Sequence, residues 1–187
     1  MNRRLILCAA LLATVPLLPG CFPVIAGGAA AGALRAGDRT TGVYIEDENI
    51  EWKALARLHG DFKGQHVNAT SYNLRVLLTG EVSDDETKQK VEALVRAIPS
   101  VKDVANELAV GGNTSLTSRG NDSLITTNVK ARMVNNGTFS PNHVKVVTEA
   151  GVVYLMGLVS QAEGDAAVEI ARSTSGASRV VKVFEYR

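Results

Sequence analysis

An apolar segment that ends in Gly-X-Val-Ser occurs twice in this chain of 187 residues. Val76–Ser83 reads Val-Leu-Leu-Thr-Gly-Glu-Val-Ser, and Val153–Ser160 reads Val-Tyr-Leu-Met-Gly-Leu-Val-Ser. Each copy follows an aspartate and three apolar residues with the same spacing, which are Asp47, Ile50, Ala54 and Leu58 before the first copy and Asp122, Ile125, Val129 and Met133 before the second. A repeat of this length constrains the whole fold. It predicts two tandem copies of one unit of about 65 residues, a length that supports a small core.

The first unit is predicted to begin with a helix near Asp47, whose side chain can cap the helix N-terminus. Ile50, Ala54 and Leu58 recur on one face of that helix, as a packed helix requires. A hairpin, a helix and a further strand follow, and their expected bounds are His66–Thr70, Leu74–Thr79, Asp84 or Asp85 to Ile98, and Val101–Val110. A strand that follows a helical crossover lies parallel to its neighbour. The sheet is therefore predicted to be mixed.

The second unit repeats this order after a polar linker that is rich in Gly, Asn, Thr and Ser. Its expected elements are a helix from Ser123 to about Asn135, strands His143–Thr148 and Val152–Leu158, a helix from about Ala162 to Ser173, and a last strand Arg179–Tyr186. Gly80 and Gly157 occupy the same place in the two copies. Such a glycine indicates positive φ or a close approach of another backbone segment. Gly80 is expected to end its strand, and Ser83 and Ser160 are expected to cap the helices that follow.

The N-terminus has the features of a secretory signal peptide. Arg3 and Arg4 precede an apolar stretch that is shorter than the ~20 residues of a membrane-spanning helix, and small residues precede Cys21. Residues 1–20 are therefore predicted to be removed, and Cys21 is predicted to carry the lipid. Two or more acyl chains give stable membrane anchoring. Residues 21–45 are predicted to form a lipid-anchored flexible tether, because Gly and Ala dominate its first part; a short helix over Ala29–Leu34 is the alternative.

The element order and several runs of residues resemble the BON domain family. The best-matching runs are Asn121–Lys130, Val144–Val146 and Leu155–Val159. The resemblance implies an α+β fold of two tandem BON domains, each an α-β-β-α-β sandwich with a three-stranded mixed sheet and two helices. The expected domains are 46–112 and 121–187, joined by a linker at 113–120. It also implies an outer-membrane lipoprotein that binds phospholipid, supports envelope integrity and is not an enzyme.

The residues themselves favour no catalytic or metal site. His59, His66 and His143 have no Cys or carboxylate at metal-ligand spacing, so they are interpreted as surface or loop-edge histidines. Ser83 and Ser160 lack the Gly-x-Ser-x-Gly context of a nucleophile. We therefore expect no catalytic residues, no metal and no cofactor. Without Arg3 and Arg4, 18 basic residues stand against 19 acidic ones, and this balance argues against a nucleic-acid partner.

The first helix of the second unit is the candidate phospholipid-binding site. At 100° per residue, Ile125, Val129 and Met133 form its core face. The opposite face and its edges carry the predicted site, which consists of Leu124, Thr127, Asn128, Lys130, Ala131, Arg132 and Val134. A mildly apolar face edged by cations suits shallow insertion between anionic headgroups. Arg119 is expected to lie just ahead of this helix. Packing of Leu124 against the neighbouring domain is the alternative.

Two functions remain open at this stage. The first is a lipid-binding module for cardiolipin or phosphatidylglycerol, anchored in the inner leaflet of the outer membrane and facing the periplasm, since Phe22 rather than Asp follows Cys21. The second is a scaffold that docks outer-membrane assembly proteins or cell-wall enzymes. Trp52, Leu55 and His59 lie together on the first helix, where they form either a domain contact or part of a wide core stripe. We favour the core stripe.

Overall fold

The computed structural model describes residues 39–112 and 116–187. The predicted signal peptide, the lipidation site Cys21, the alternative helix and most of the tether lie outside the described residues, as do residues 113–115 of the linker. The two repeat units belong together to one compact unit, Ala33–Arg187. Contacts between them are therefore part of the fold.

Both repeat units have the predicted α-β-β-α-β order. The first unit consists of α1 (Thr41–Asp61), β1 (His66–Tyr72), β2 (Arg75–Val82), α2 (Asp85–Arg96), β3 (Asp103–Asn106) and β4 (Ala109–Val110). The second consists of α3 (Leu116–Asn136), a 3-10 turn (Pro141–His143), β5 (Val144–Glu149), β6 (Val152–Val159), α4 (Gln161–Arg172) and β7 (Arg179–Tyr186). In each unit the hairpin is antiparallel and the strand after the crossover is parallel to the central strand. The α+β class and the mixed sheets are confirmed.

The third strand of the first unit is interrupted. β3 and β4 both pair with β2 in one continuous register, and Glu107 and Leu108 lie between them. The Leu108 N–H donates to the Asn106 side chain at 3.2 Å, which bends the backbone at this point. The expected strand Val101–Val110 therefore occurs as two short pieces of one strand.

Both first helices begin earlier than predicted, and neither aspartate caps one. The Thr40 side chain caps α1 by accepting the Val43 N–H. Asp47 lies on the core face of α1 and is buried, and its carboxylate accepts the Asn73 and Leu74 N–H groups of the β1–β2 turn. Asp122 does the same in the second unit for Ala150 and Gly151. The repeated aspartate is thus a tie between helix and hairpin, and residues 41–45 and 116–120 are helical rather than tether and linker.

The hairpin turns and glycines differ in detail from the prediction. Leu74, expected in a strand, lies in a two-residue turn with Asn73, and both have positive φ, as tight hairpin turns of this kind require. Gly80 lies inside β2 rather than at its end, with φ +113 and with His66 O only 1.9 Å from where a Cβ would stand. Gly157 shows the same close approach to His143 O, at 2.4 Å. The need for glycine at both places is confirmed.

The helix caps differ between the two units. Ser160 forms a capping box with Glu163, as predicted for a helix-capping serine. In the first unit the cap is Asp84, whose side chain accepts the Thr87 N–H at 2.7 Å. Ser83 instead donates its hydroxyl to Asp84 at 2.6 Å, so its predicted capping role is wrong.

Each central strand is covered on both faces. Toward the helices, Val76, Leu78 and Val82 pack with α1 and α2, and the equivalent residues of β6 pack with α3 and α4. On the other face a third cluster joins the two sheets, and its buried members are Tyr72, Leu77, Tyr154, Met156 and Val183. The molecule is therefore a four-layer sandwich with the sheets inside. Burial on both faces explains why the repeated segments are continuously apolar rather than alternating.

Polar contacts fix how the two units are arranged. The Lys145 ammonium donates to Glu51 Oε1 at 2.7 Å and to the Ser71 carbonyl at 3.1 Å. The Tyr72 hydroxyl donates to the His143 carbonyl at 3.0 Å. These groups border the apolar contact between the sheets, where partial burial strengthens charge-assisted hydrogen bonds.

Candidate functional site

Helix α3 presents one face to the core and one to solvent. Ile125, Val129 and Met133 are buried against β5 and β6, as the helical spacing predicts. Leu124 and Val134 are each 64% exposed on the opposite side. They are ten residues apart, about 15 Å along a helix axis. Two large apolar side chains at this exposure form the ends of one unpartnered stripe.

Four further residues of the predicted site lie on the same side of α3 and are exposed, namely Thr127, Asn128, Lys130 and Ala131. Lys130 takes part in no ion pair within residues 39–112 and 116–187, so its charge faces solvent. The structure thus brings together Leu124, Thr127, Asn128, Lys130, Ala131 and Val134 on the outer side of α3. This surface is called the lipid-facing surface after the prediction made for it from the sequence.

Arg132 is placed differently from its predicted role as a lipid-facing cation. Its guanidinium donates to Ile170 O at 3.1 Å, Thr174 Oγ1 at 2.8 Å and Ser173 Oγ at 2.9 Å. These groups lie at the C-terminal end of α4, where the helix dipole favours a positive charge. Arg132 therefore fastens α3 to α4. Helical spacing alone misses this role because a long side chain can reach well away from its own position.

Arg119 also departs from the prediction. It lies within α3 rather than ahead of it, and its Nε is buried with no hydrogen-bond partner in the described structure. Its side chain lines a cavity on the first-unit side of α3 that also contains His66 and Glu149. Arg119 is therefore not part of the lipid-facing surface.

A cavity of about 480 Å³ opens beside the lipid-facing surface. Leu124 and Asn128 border it, and Asn121, Ser118 and Gly176 contribute polar and backbone groups to its wall. Concave sites with an apolar edge and a few polar groups are typical of small-ligand binding. The wall also includes the buried carboxylate of Asp122.

The first unit carries a second exposed apolar group. Trp52 is 69% exposed and Leu55 is 44% exposed, and both line a cavity of about 470 Å³ between α1, β1 and β5. His59 is exposed as well, with its Nδ1 3.0 Å from the Leu55 carbonyl. The favoured interpretation of these three residues as part of a wide core stripe is wrong. The core stripe of α1 is narrow because Ile50, Ala54 and Leu58 already cover the sheet.

The three histidines differ in their surroundings, and His59 is exposed as predicted. His66, the first residue of β1, lies half-buried at a loop edge, as predicted, with its Nδ1 2.9 Å from Glu81 Oε2 and 3.8 Å from Glu149 Oε1. His143 is buried, so its surface interpretation is wrong, and its Nδ1 lies 3.0 Å from Glu163 Oε1. Sequence spacing does not reveal either group, because each carboxylate is far from its histidine in sequence. The β1–β2 hairpin and the contact between the units form the first group, and the second forms where the start of α4 meets the 3-10 turn.

The Glu163 carboxylate joins the start of α4 to the end of β7. It accepts the Ser160 N–H at 2.7 Å and the Arg187 guanidinium at 2.7 Å, in addition to its contact with His143. Burial alone would raise the pKa of Glu163, but the hydrogen bonds from Ser160, His143 and Arg187 outweigh burial and lower the pKa to about 2. Hydrogen bonds to the charged form have this effect.

Replacing Glu163 by Gln is expected to change how stability depends on pH. A folded-state pKa below the ordinary value stabilises the protein above about pH 4.5, and this contribution is lost as the pH falls toward 2. We expect Glu163→Gln to lower the free energy of unfolding at pH 7 by about 2 kcal/mol and to flatten the loss between pH 5 and 2. Urea unfolding at several pH values measures both. Asp165→Asn, an exposed change on the same helix, is the control; parallel pH curves for Glu163→Gln and the wild type would contradict the assignment.

Within the described part of the chain, no helix combines the length and the apolar character needed to cross a membrane. Among the helices of residues 39–112 and 116–187, α1 and α3 are the longest, with 21 residues each, and both carry polar residues throughout.

Comparison with known proteins relates both repeat units to one family. The family model described as the BON domain matches residues 46–112 and 121–187. The chain is 41% identical over 182 residues to the outer membrane lipoprotein DolP of Haemophilus influenzae, covering 95% of this chain and 94% of that protein. It is 32% identical over 151 residues to the 21 kDa hemolysin of Actinobacillus pleuropneumoniae, covering 79% and 78%.

A further relative has the same kind of coverage. The osmotically-inducible protein Y of Escherichia coli is 28% identical over 144 residues, covering 74% of this chain and 72% of that protein. Of these relatives, the Haemophilus influenzae protein is the one whose name describes an outer membrane lipoprotein. The chain therefore belongs to the BON domain family, as a dual-BON outer-membrane lipoprotein of the DolP type.

Proposed function

We propose that the second BON domain binds anionic phospholipid, cardiolipin or phosphatidylglycerol, through the lipid-facing surface of α3, and that this binding supports envelope integrity. The observation that carries the proposal is the unpartnered stripe on α3, with Leu124 and Val134 exposed at its ends and Lys130 at its edge. Thr127 and Ala131 lie between the two ends and are small enough to let the helix approach the headgroups closely. We assign Arg132 to the α3–α4 contact and not to lipid binding.

The expected free energies of lipid contact suit a weak, reversible interaction. Burying the exposed part of Leu124 or Val134 contributes roughly 1 kcal/mol each. A cation near an anionic surface contributes ~1 kcal/mol. Summed, these terms give weak binding that protein without the anchor shows at high vesicle concentration. A lipid anchor strengthens this contact by raising the local concentration of the domain at the membrane.

We further propose that Cys21 carries this anchor after removal of residues 1–20, and that residues 21–40 connect it to α1 of the first BON domain. The anchor would lie in the inner leaflet of the outer membrane, so that the domains face the periplasm. In this arrangement the tether sets how far α3 reaches along the bilayer. Domains at 46–112 and 121–187 are part of the same proposal, with residues 113–120 between them.

Reversal of the Lys130 charge is expected to weaken binding to anionic vesicles by about thirty-fold, since about 2 kcal/mol is lost when an attracted charge becomes a repelled one. The experiment uses protein that starts after Cys21, so that acyl chains do not dominate. NMR signals of α3 are followed while vesicles that contain cardiolipin or phosphatidylglycerol are added, with zwitterionic vesicles in parallel. Leu124→Ala is expected to weaken binding about five-fold.

The matched control is Lys182→Glu, which makes the same charge change on β7 of the same domain, away from α3. It should leave the affinity nearly unchanged. Equal losses for Lys130→Glu and Lys182→Glu would show that net charge, not the lipid-facing surface, governs binding. Absence of any change in the α3 signals with either vesicle would remove the phospholipid proposal.

A periplasmic scaffold is the second candidate function, and one observation favours it. Trp52 and Leu55 are exposed beside a cavity of about 470 Å³, and exposed tryptophans next to a pocket are enriched at the centres of protein interfaces. An outer-membrane assembly protein or a cell-wall enzyme would be the partner. A photo-activatable cross-linker placed at Trp52 distinguishes the candidates, because the lipid proposal leaves this face without a protein partner.

A further inference from the structure

Three side chains from the two BON domains converge at one edge of the contact between the sheets. His66 and Glu81 face each other across the β1–β2 hairpin, and Glu149 ends β5 of the second domain. Their ligand atoms all lie within 4.8 Å of one another. We propose that His66, Glu81 and Glu149 form a binding site for one divalent cation of the zinc class, which bridges the two domains.

The distances suit a metal ion. Zinc bonds to imidazole nitrogen and carboxylate oxygen are about 2.0–2.2 Å long, so two ligand atoms of a tetrahedral site lie about 3.4 Å apart. His66 Nδ1 lies 2.9 Å from Glu81 Oε2 and 3.8 Å from Glu149 Oε1, on either side of that value. Shifts of about half an ångström would therefore bring each of these two carboxylate oxygens to the spacing from His66 Nδ1 that a tetrahedral zinc ion requires.

The chemistry of the three side chains suits a divalent ion. Glu81 and Glu149 are both buried beside His66, and two carboxylate charges placed close together disfavour each other. A divalent cation neutralises both carboxylates and leaves the imidazole neutral, which is the form that binds metal. A set of one nitrogen and two oxygen ligands suits zinc better than magnesium, whose sites use oxygen.

A neighbouring side chain orients one of the proposed metal ligands, and a cavity connects them to solvent. The Asn68 amide nitrogen donates to Glu149 Oε2 at 3.1 Å. A hydrogen bond of this kind orients a carboxylate that binds a metal. A cavity of about 350 Å³ beside His66 and Glu149 opens the cluster to solvent, and Arg119 and Asp122 of α3 form its far wall. With three protein ligands, one position stays free for water.

The test measures zinc binding to the full chain, purified from membranes in detergent and freed of metal with a chelator. We expect one zinc ion per chain, a rise of several degrees in Tm with added zinc chloride, and a loss of affinity of about ten-fold or more in Glu149→Gln and His66→Gln. His59→Gln, an exposed histidine on α1, is the matched control and should bind zinc like the wild type. Manganese and magnesium chloride, titrated in parallel, should bind more weakly.

Crystals of the wild-type protein soaked in zinc chloride give a readout that does not depend on how the variants fold. Anomalous scattering should place one ion between His66, Glu81 and Glu149. An ion bound only elsewhere, unchanged zinc affinity in Glu149→Gln, or no binding to the wild type would each overturn the proposal. The last result would show that hydrogen bonds alone hold the cluster. None of these outcomes affects the phospholipid proposal, since α3 presents its other side to the membrane.

Discussion

Gly80→Ala is expected to destabilise the protein by about 4 kcal/mol or more, a large part of the 5–15 kcal/mol that holds a typical domain folded. Gly80 lies in the middle of β2, the central strand of the first domain, with φ +113. An added Cβ would stand 1.9 Å from His66 O, which belongs to the backbone of the paired strand and cannot move without breaking the hairpin. Urea unfolding followed by circular dichroism measures the loss.

Two glycines of the same domain serve as controls for this substitution. Gly60 lies in α1, has no atom within 4 Å of an added Cβ, and should become slightly more stable as Ala, by about 0.5–1 kcal/mol. Gly64 has φ +87 but open space around it, so Gly64→Ala isolates the cost of the backbone conformation. If Gly80→Ala cost no more than Gly64→Ala, the close approach to His66 would not be what requires glycine.

Asp47→Ala is expected to cost about 3–4 kcal/mol, because the buried carboxylate holds several donors at once. It accepts Ser71 Oγ at 2.7 Å, the Asn73 N–H at 2.9 Å and the Leu74 N–H at 2.8 Å. The Arg39 guanidinium donates to the same carboxylate at 2.6 Å and lies over the Tyr72 ring. Removing the carboxylate leaves these donors without an acceptor next to the core.

Substitutions at Glu48 and at Asp122 test whether the hydrogen bonds of Asp47 account for this loss. Glu48→Ala, an exposed change one residue away, should alter the free energy of unfolding by less than about 0.5 kcal/mol. Asp122→Ala should cost less than Asp47→Ala, since the carboxylate of Asp122 accepts two turn N–H groups, those of Ala150 and Gly151. Equal, small effects of Asp47→Ala and Glu48→Ala would show that the tie between helix and hairpin adds little to stability.

Much of the candidate site follows from helical periodicity alone. The spacing of Ile125, Val129 and Met133 determines which side of α3 enters the core, and therefore places Leu124 and Val134 outside. Helical periodicity predicts the direction of each Cα–Cβ bond, but it does not predict where the end of a long side chain lies. For this reason helical spacing groups Arg132 with Lys130, whereas the Arg132 guanidinium reaches the end of α4.

The sequence by itself determined the repeat, the order of elements in each domain and the need for glycine in the central strands. These properties are local, since spacing, turn residues and capping residues act within one unit. Only the tertiary structure decided how the two sheets meet, because apolar residues on a central strand have no preferred partner until both faces are packed. Packing of α1 on its own hairpin decided that Asp47 is buried and accepts the turn N–H groups. The contact between the two units decided that Glu149 meets His66. Both depend on residues that are distant in sequence, whose positions local spacing does not determine.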